Sequence, residues 1–169
     1  MIGLLGALAI AMVQMPTGAD IECVISGMSE EAAGTLTLEL LEGGTGPSNA
    51  ALKLLEQSVE TCSTRNAWTQ AHAASVGGLA VASLMGGAAE ELLKEAGVPG
   101  DAIRKWLAAE PEAVQTRLEM AQSDAERLAD ALQAGGIAKE KVAAAGSAIG
   151  IYLGSLIVFE RARRGLPIE

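Results

Sequence analysis

Residues 67–95 read AWTQAHAASVGGLAVASLMGGAAEELLKE, and in this stretch a small residue recurs at every fourth position: Ala74, Gly78, Ala82 and Gly86. Residues four apart lie on the same face of an α-helix. A glycine inside a helix costs about 1 kcal/mol relative to alanine, so this row indicates a face on which another helix backbone approaches closely. The stretch therefore predicts a central helix of an all-α fold.

A second row of glycines lies near the carboxyl terminus, where residues 138–164 carry Gly146, Gly150 and Gly154 at the same four-residue step. We expect the two helices to pack directly on each other along these rows. The predicted helix-packing residues are Gly78, Ala82, Gly86, Gly146, Gly150 and Gly154.

The same carboxyl-terminal stretch also has a membrane interpretation. Residues 142–159 are 18 residues without a charged side chain, and arginines follow soon after them. A spanning helix needs about 20 apolar residues, and spanning helices associate through glycines four apart. Because a buried central helix is hydrophobic on all sides too, two alternatives stay open: a core helix, and a membrane-embedded helical protein that spans the bilayer through 142–159.

Glycine and proline divide the rest of the chain into helical segments, with the clearest turn signals at 43–47 and 97–100. Between the turns, apolar residues recur at helical steps of three and four, most regularly in 112–134. Residues 35–40 alternate as in a strand, but the flanking acids and alanines favour a helix. We predict one compact bundle of five or six helices with closely packed Gly/Ala-rich central helices, in a single domain of residues 20–169. The predicted helices cover 29–42, 48–63, 67–95, 101–109, 112–134 and 138–164.

The first 19 residues carry no charged side chain and end in Thr17-Gly18-Ala19, a small-residue site of the kind that signal peptidases cut, before Asp20. The apolar run 2–13 has the length of a signal-peptide core and is too short for a spanning helix. No Lys or Arg precedes Asp20, so the positive start of a typical signal is missing. We interpret 1–19 as a cleaved export leader, which predicts a periplasmic or secreted protein. The alternatives are an uncleaved membrane anchor and a buried first helix of a cytosolic bundle.

The predicted state of the two cysteines, Cys23 and Cys62, depends on this leader. In an oxidising compartment they are expected to form a disulfide, whereas in the cytosol they would be buried thiols. Cys62 shares an apolar helix face with Leu55 and Val59, so a bridge to Cys23 would fasten the amino-terminal arm to that helix. In the chain-entropy account, a bridge closing about 40 residues contributes about 4 kcal/mol.

A resemblance to known sequences lies in residues 62–69, CSTRNAWT, and in residues 97–111, which include Trp106. They resemble uncharacterised exported two-cysteine all-helical bacterial proteins, in which a first cysteine soon follows the leader and a second precedes a tryptophan-led helix. The resemblance implies export and a disulfide, and it implies no activity.

The charge of the chain argues against nucleic-acid binding. The net charge is −9, with −7 in residues 20–60 and +2 in residues 136–169, whereas nucleic-acid binding requires a basic surface. The one basic cluster consists of Arg161, Arg163 and Arg164, which we interpret as favourable charge at the end of the last helix.

Few residues indicate chemistry. The single histidine, His72, lies one helical turn after Trp68, so the two side chains share a face and form a weak candidate for a ligand site. The alternative is a partly buried histidine packed on an indole ring. The sequence contains no zinc-binding pattern and no phosphate-binding loop, and we predict no metal, no cofactor and no catalytic residue.

These observations favour a non-enzymatic exported helical domain with a structural or protein-interaction role and an unknown protein partner. Two other functions stay open. One is the membrane-embedded protein described above, with membrane association through 142–159, and the other is a small-ligand carrier or enzyme around Trp68 and His72.

Overall fold

The computed structural model describes residues 15–41 and 49–168, and all its regular elements in these ranges are α-helices. The strand-like alternation of residues 35–40 lies inside a helix, so the all-α prediction is confirmed for the described chain. The apolar run 2–13 and the turn at 43–47 lie outside the described residues. The helices are α1 Gly18–Ser26, α2 Glu30–Leu41, α3 Asn49–Asn66, α4 Gln70–Ala96, α5 Gly100–Ala109, α6 Glu112–Gln115, α7 Gln122–Ala134, α8 Lys139–Ala144 and α9 Gly146–Arg163.

Helix α4 is the shared centre of the fold. Its first half contributes Val76 and Ala80 to a hydrophobic cluster with α1, α2 and α3. Its second half contributes Ala89 and Leu93 to a larger cluster with α5, α7, α8 and α9. The helix ends at Gly97, whose left-handed backbone (φ +71°) suits glycine and closes the last turn.

The described residues contain nine helices where five or six were expected. One addition is α1, and two expected helices, 112–134 and 138–164, are each divided in two. The division of 112–134 leaves Leu118, an expected core residue, 43% exposed. The division of 138–164 is slight, since a single residue, Ala145, separates α8 from α9.

Side chains from elsewhere in the chain explain why α6 stops early. The Thr116 carbonyl accepts a hydrogen bond from Arg161 on α9. Arg117 reaches past the break to Asp124, with 2.8 Å between its Nη1 and the Asp124 Oδ2. These polar contacts turn the chain between α6 and α7, so the apolar seam expected along 112–134 does not form as one helix face.

Helices α4 and α9 form the most extensive contact between helices of the described chain, but not along both glycine rows. On α4, a Cβ added to Gly86 would lie 3.1 Å from the Cβ of Ser155. On α9, a Cβ added to Gly146, Gly150 or Gly154 would meet no atom within 4 Å. The prediction that α9 uses its glycine row is therefore wrong. Helix α9 buries its larger apolar residues instead, which removes more apolar area from water. The buried residues of α9 are Ala148, Ile149, Tyr152, Leu153, Ser155 and Ile157.

One helix of the described chain, α4, is long and apolar enough to cross a membrane by length and composition, a test that the core helix of a soluble protein also passes. Helix α4 packs against α1, α2, α3, α5 and α9. The stretch 142–159, which the membrane alternative takes as a span, is divided between α8 and α9 at Ala145.

Candidate interaction groove between α3 and α4

The turn between α3 and α4 sets the geometry of the candidate site. Ala67 adopts a left-handed backbone (φ 52°), and the Trp68 N–H donates to the Ser63 carbonyl at 3.0 Å. Thr69 then caps α4, because its side-chain oxygen accepts the His72 N–H at 3.2 Å. Asn66 is the last residue of α3. The turn places Trp68 between the two helices.

The expected disulfide is present and fastens α1 to α3. Cys23 on α1 and Cys62 on α3 are bonded, with a Cα–Cα distance of 6.2 Å and a sequence separation of 39. Beside the bridge, the buried Ser58 hydroxyl donates to the Val24 carbonyl at 2.6 Å. Together these contacts hold α1 on the inner side of α3, where it also packs on α4.

A second contact holds the start of α1 on α4. The Nε2 of His72 lies 3.5 Å from the Oδ2 of Asp20, and the Trp68 ring meets the His72 ring edge-on, with 5.2 Å between centroids. Burial of the Asp20 carboxyl raises its pKa, but the hydroxyl and N–H of Thr17 and the nearby His72 lower it more. The net pKa of Asp20 lies below its ordinary value, so the carboxylate form is favoured.

An open apolar groove of about 670 Å³ runs between the outer faces of α3 and α4. Helix α4 forms the floor with residues that have little or no side chain, so its backbone lies near the surface. At Gly77 the two helices approach closely, since a Cβ there would lie 3.4 Å from the Cγ2 of Val59. The residues that line the groove are Leu55, Glu56, Val59, Glu60, Ser63, Trp68, Gln70, Ala73, Ala74, Gly77, Gly78 and Val81.

The carboxyl-terminal tail reaches the edge of this groove. Gly165 has a left-handed backbone (φ +67°), and the Nε of Arg161 donates to the Pro167 carbonyl at 2.6 Å. The tail then places Ile168 on α4, where a Cβ added to Gly78 would lie 2.7 Å from the Ile168 Cδ1. An isoleucine side chain thus packs directly on the backbone of α4.

The charge of the groove, as far as the described residues line it, is acidic. Among those residues Glu56 and Glu60 are the only charged ones, and both are exposed on α3. They lie four residues apart and therefore on one rim of the groove. Neither forms an ion pair with a described residue.

The predicted ligand pair of Trp68 and His72 is in contact but does not form one site. His72 is 4% exposed and faces Asp20 in the interior, whereas Trp68 lines the groove. The polar lining residues, two glutamates, Ser63 and Gln70, do not surround an enclosed space. Within residues 15–41 and 49–168, no group of three or more His, Cys, Asp or Glu side chains is placed to hold a metal ion.

The other polar clusters are occupied by contacts within the protein. A cavity of about 520 Å³ beside the start of α5 is lined by Arg104, which donates to Asp101 and Glu90 at 2.9 Å and to Tyr152. The hydrogen bond that Arg104 donates to Asp101 contributes most to raising the pKa of Arg104. This network joins α4, α5 and α9, and it has a structural role.

The carboxyl-terminal arginines are likewise partnered. The Glu160 carboxylate accepts hydrogen bonds from Arg163 and Arg164 at 2.6 to 2.9 Å, and the Arg163 bond is the largest influence that lowers the Glu160 pKa to about 2. Arg161 is engaged with the Thr116 and Pro167 carbonyls. The cluster therefore fastens the end of α9.

The groove was not predicted from the sequence, although part of its signal is visible there. Glu56 and Glu60 share one α3 face beside Leu55 and Val59, which is typical of an acidic rim along an apolar surface. The relationship to exported two-cysteine proteins stays a prediction. Comparison of the chain with known protein families, with curated proteins and with solved structures finds no match.

Proposed function

We propose that this protein is an exported, disulfide-stabilised helical domain that acts without catalysis, by binding another protein through the α3/α4 groove. The Cys23–Cys62 disulfide is the observation that supports export, because disulfides persist in oxidising compartments and are rare in the cytosol. In this proposal the segment 1–19 serves as the leader and is removed before α1 forms. The bond after Ala19 lies in the first turn of α1, where a peptidase has poor access to it.

The form of the groove supports protein binding over catalysis. It is open, and its floor is apolar and shallow over about three turns of α4. Polar groups do not converge on one point, as an active site requires. Exposed apolar surface of this kind is typical of interaction sites.

Intact mass measurement combined with cell fractionation tests the proposed location. We expect a soluble periplasmic or secreted chain that begins at Asp20 and takes up no alkylating label without reductant. A chain found in the cytosol with both cysteines labelled would contradict the proposal. Release only by detergent would favour a membrane protein instead.

A second function is favoured by Trp68, which lines the groove beside small apolar residues. A carrier of small apolar molecules would use this surface, with the indole ring packed on the ligand. Titration of a Trp106→Phe variant with a fatty acid, followed by the fluorescence of the remaining Trp68, tests it. A saturable change at micromolar ligand would support a carrier, and an unchanged spectrum would exclude fatty acids as the ligand.

A further inference from the structure

We propose that the groove between α3 and α4 binds a cationic amphipathic helix, which lays its apolar face on α4 and its basic residues along the rim of Glu56 and Glu60. This inference rests on the proposed function, because it assigns the chemistry of the protein partner. The groove is lined by α4 from Gln70 to Val81, which is about 17 Å of helix. A partner helix of three turns has that length, and apolar residues at i, i+3 or i+4, and i+7 provide its buried face.

The floor of the groove is suited to branched apolar side chains. The Ile168 side chain already packs on the backbone at Gly78, with 2.7 Å between its Cδ1 and the position of a Cβ there. Gly77 and Ala74 continue this low surface along α4. A leucine or isoleucine of a partner helix can therefore reach the α4 backbone in the same way as Ile168.

The charge of the rim selects a basic partner. Glu56 and Glu60 are one helical turn apart, so their carboxylates repel each other, and neither forms an ion pair with a described residue. Residues 20–60, which include this rim, carry a net charge of −7. A lysine or arginine on the partner relieves the repulsion and speeds association, and the effect decreases with added salt.

Two synthetic peptides of about 14 residues provide the probes. Both carry the same leucine and alanine face, and the exposed positions are lysine in one and glutamate in the other. They are titrated into the oxidised, ¹⁵N-labelled protein, and amide shifts are followed by NMR. We expect saturable binding of the lysine peptide, with shifts at α3 and α4 residues of the groove, and binding of the glutamate peptide at least tenfold weaker.

Charge reversal of the rim tests the electrostatic part. The double variant E56K/E60K is expected to bind the lysine peptide about tenfold more weakly and the glutamate peptide more tightly. The control E119K/D130K changes the net charge equally at exposed positions away from the groove, and it should leave both affinities within about twofold. Equal binding of the two peptides, or no preference shift in E56K/E60K, would overturn the assignment of a cationic partner.

A variant that fills the groove tests where the peptide binds. Ala74 is exposed and lines the groove, so Ala74→Phe should fill it without disturbing the core and weaken the lysine peptide about tenfold. Ala71 is exposed on the same helix outside the groove, and Ala71→Phe should bind normally. Circular dichroism verifies that each variant is folded. The proposed site requires that A74F and E56K/E60K both weaken binding of the lysine peptide.

A different occupant of the groove would give different experimental results. A concentration-dependent dimer in sedimentation equilibrium that A74F abolishes would identify a second copy as the occupant and overturn the proposal. No saturable binding of the lysine peptide would overturn it as well. Export and oxidation are measured independently by mass and fractionation, so this failure is distinguishable from a failure of the proposed function.

Discussion

Ser58 packs against Gly27 where the end of α1 meets α3. The Ser58 hydroxyl donates to the Val24 carbonyl, and a Cβ added to Gly27 would lie 2.2 Å from the Ser58 Oγ. Gly27→Ala should therefore lose this hydrogen bond or displace α1, at a cost of about 1–3 kcal/mol in the free energy of unfolding. Urea denaturation measures it. The double variant G27A/S58A should cost less than the sum of the single variants, because the 2.2 Å contact with the Ser58 Oγ is gone. The added methyl then meets the Cys23 carbonyl oxygen at 3.3 Å and the residue-58 Cβ at 3.4 Å.

A glycine on α4 provides the control for Gly27→Ala. Gly87 is exposed within α4, and a Cβ there would meet no atom within 4 Å. Gly87→Ala should stabilise the protein by up to about 1 kcal/mol, since alanine favours the helix. A loss of stability in both alanine variants would contradict the assignment of the Gly27 effect to its contact with Ser58.

Asp20 makes the attachment of α1 dependent on pH. In a chain that retains Thr17, the pKa of Asp20 in the folded protein is lowered below the ordinary value of 3.8, so its contribution to stability is complete above that value and is lost as the pH falls through the folded pKa. We expect the unfolding free energy of wild type to exceed that of Asp20→Asn at pH 6, and the difference to shrink as the pH falls below the ordinary Asp value of 3.8. Denaturation of both proteins across this range measures it, and a constant difference would exclude Asp20 as the origin.

At the scale of the element, α1 begins with a capping box, a reciprocal pair of hydrogen bonds at its first turn. The Thr17 side chain accepts the Asp20 N–H at 3.3 Å, and the Asp20 carboxylate accepts the Thr17 N–H at 2.8 Å. Thr17→Ala in a chain that retains residue 17 should lower the free energy of unfolding by about 1 kcal/mol. Thr64→Ala, at an exposed position inside α3, is the control and should have a smaller effect. Thermal unfolding compares the two, and equal effects would show that the cap is not responsible.

A helix could be predicted from the sequence where neighbouring residues in the chain determine its ends. The prediction of 101–109 differs from α5 by one residue, because glycine and proline on either side act on the adjacent backbone alone. The division of 112–134 could not be predicted, since it depends on Arg161 reaching the Thr116 carbonyl from 45 residues away.

The groove shows the same limit at the level of helix faces. Both sides of α4 carry small residues, and sequence spacing does not say which side another helix will cover. Contact with α9 covers the side of Gly86, and the groove remains on the side of Gly77. The disulfide was predictable because two cysteines allow only one pairing.

At the scale of the whole molecule, the two hydrophobic clusters are stabilised differently. Among the described residues, the cluster of α1, α2, α3 and the first half of α4 contains the disulfide and nine buried apolar residues, fewer than the 14 of the other cluster. The larger cluster of α5, α7, α8, α9 and the second half of α4 contains no cysteine. Loss of the disulfide should therefore affect the two ends of α4 unequally.

The double variant C23S/C62S tests this asymmetry. Without the bridge, the loop entropy of the unfolded chain rises, and we expect a loss of about 4 kcal/mol at most in the amino-terminal half. Amide hydrogen exchange should accelerate in α1, α3 and the first turns of α4, while α5, α7 and α9 keep their protection. Uniform acceleration would instead show that α4 transmits the loss to the whole core. Because α3 forms one wall of the groove, the variant should also bind the lysine peptide more weakly than the oxidised protein does. The disulfide is then required for the binding surface as well as for stability.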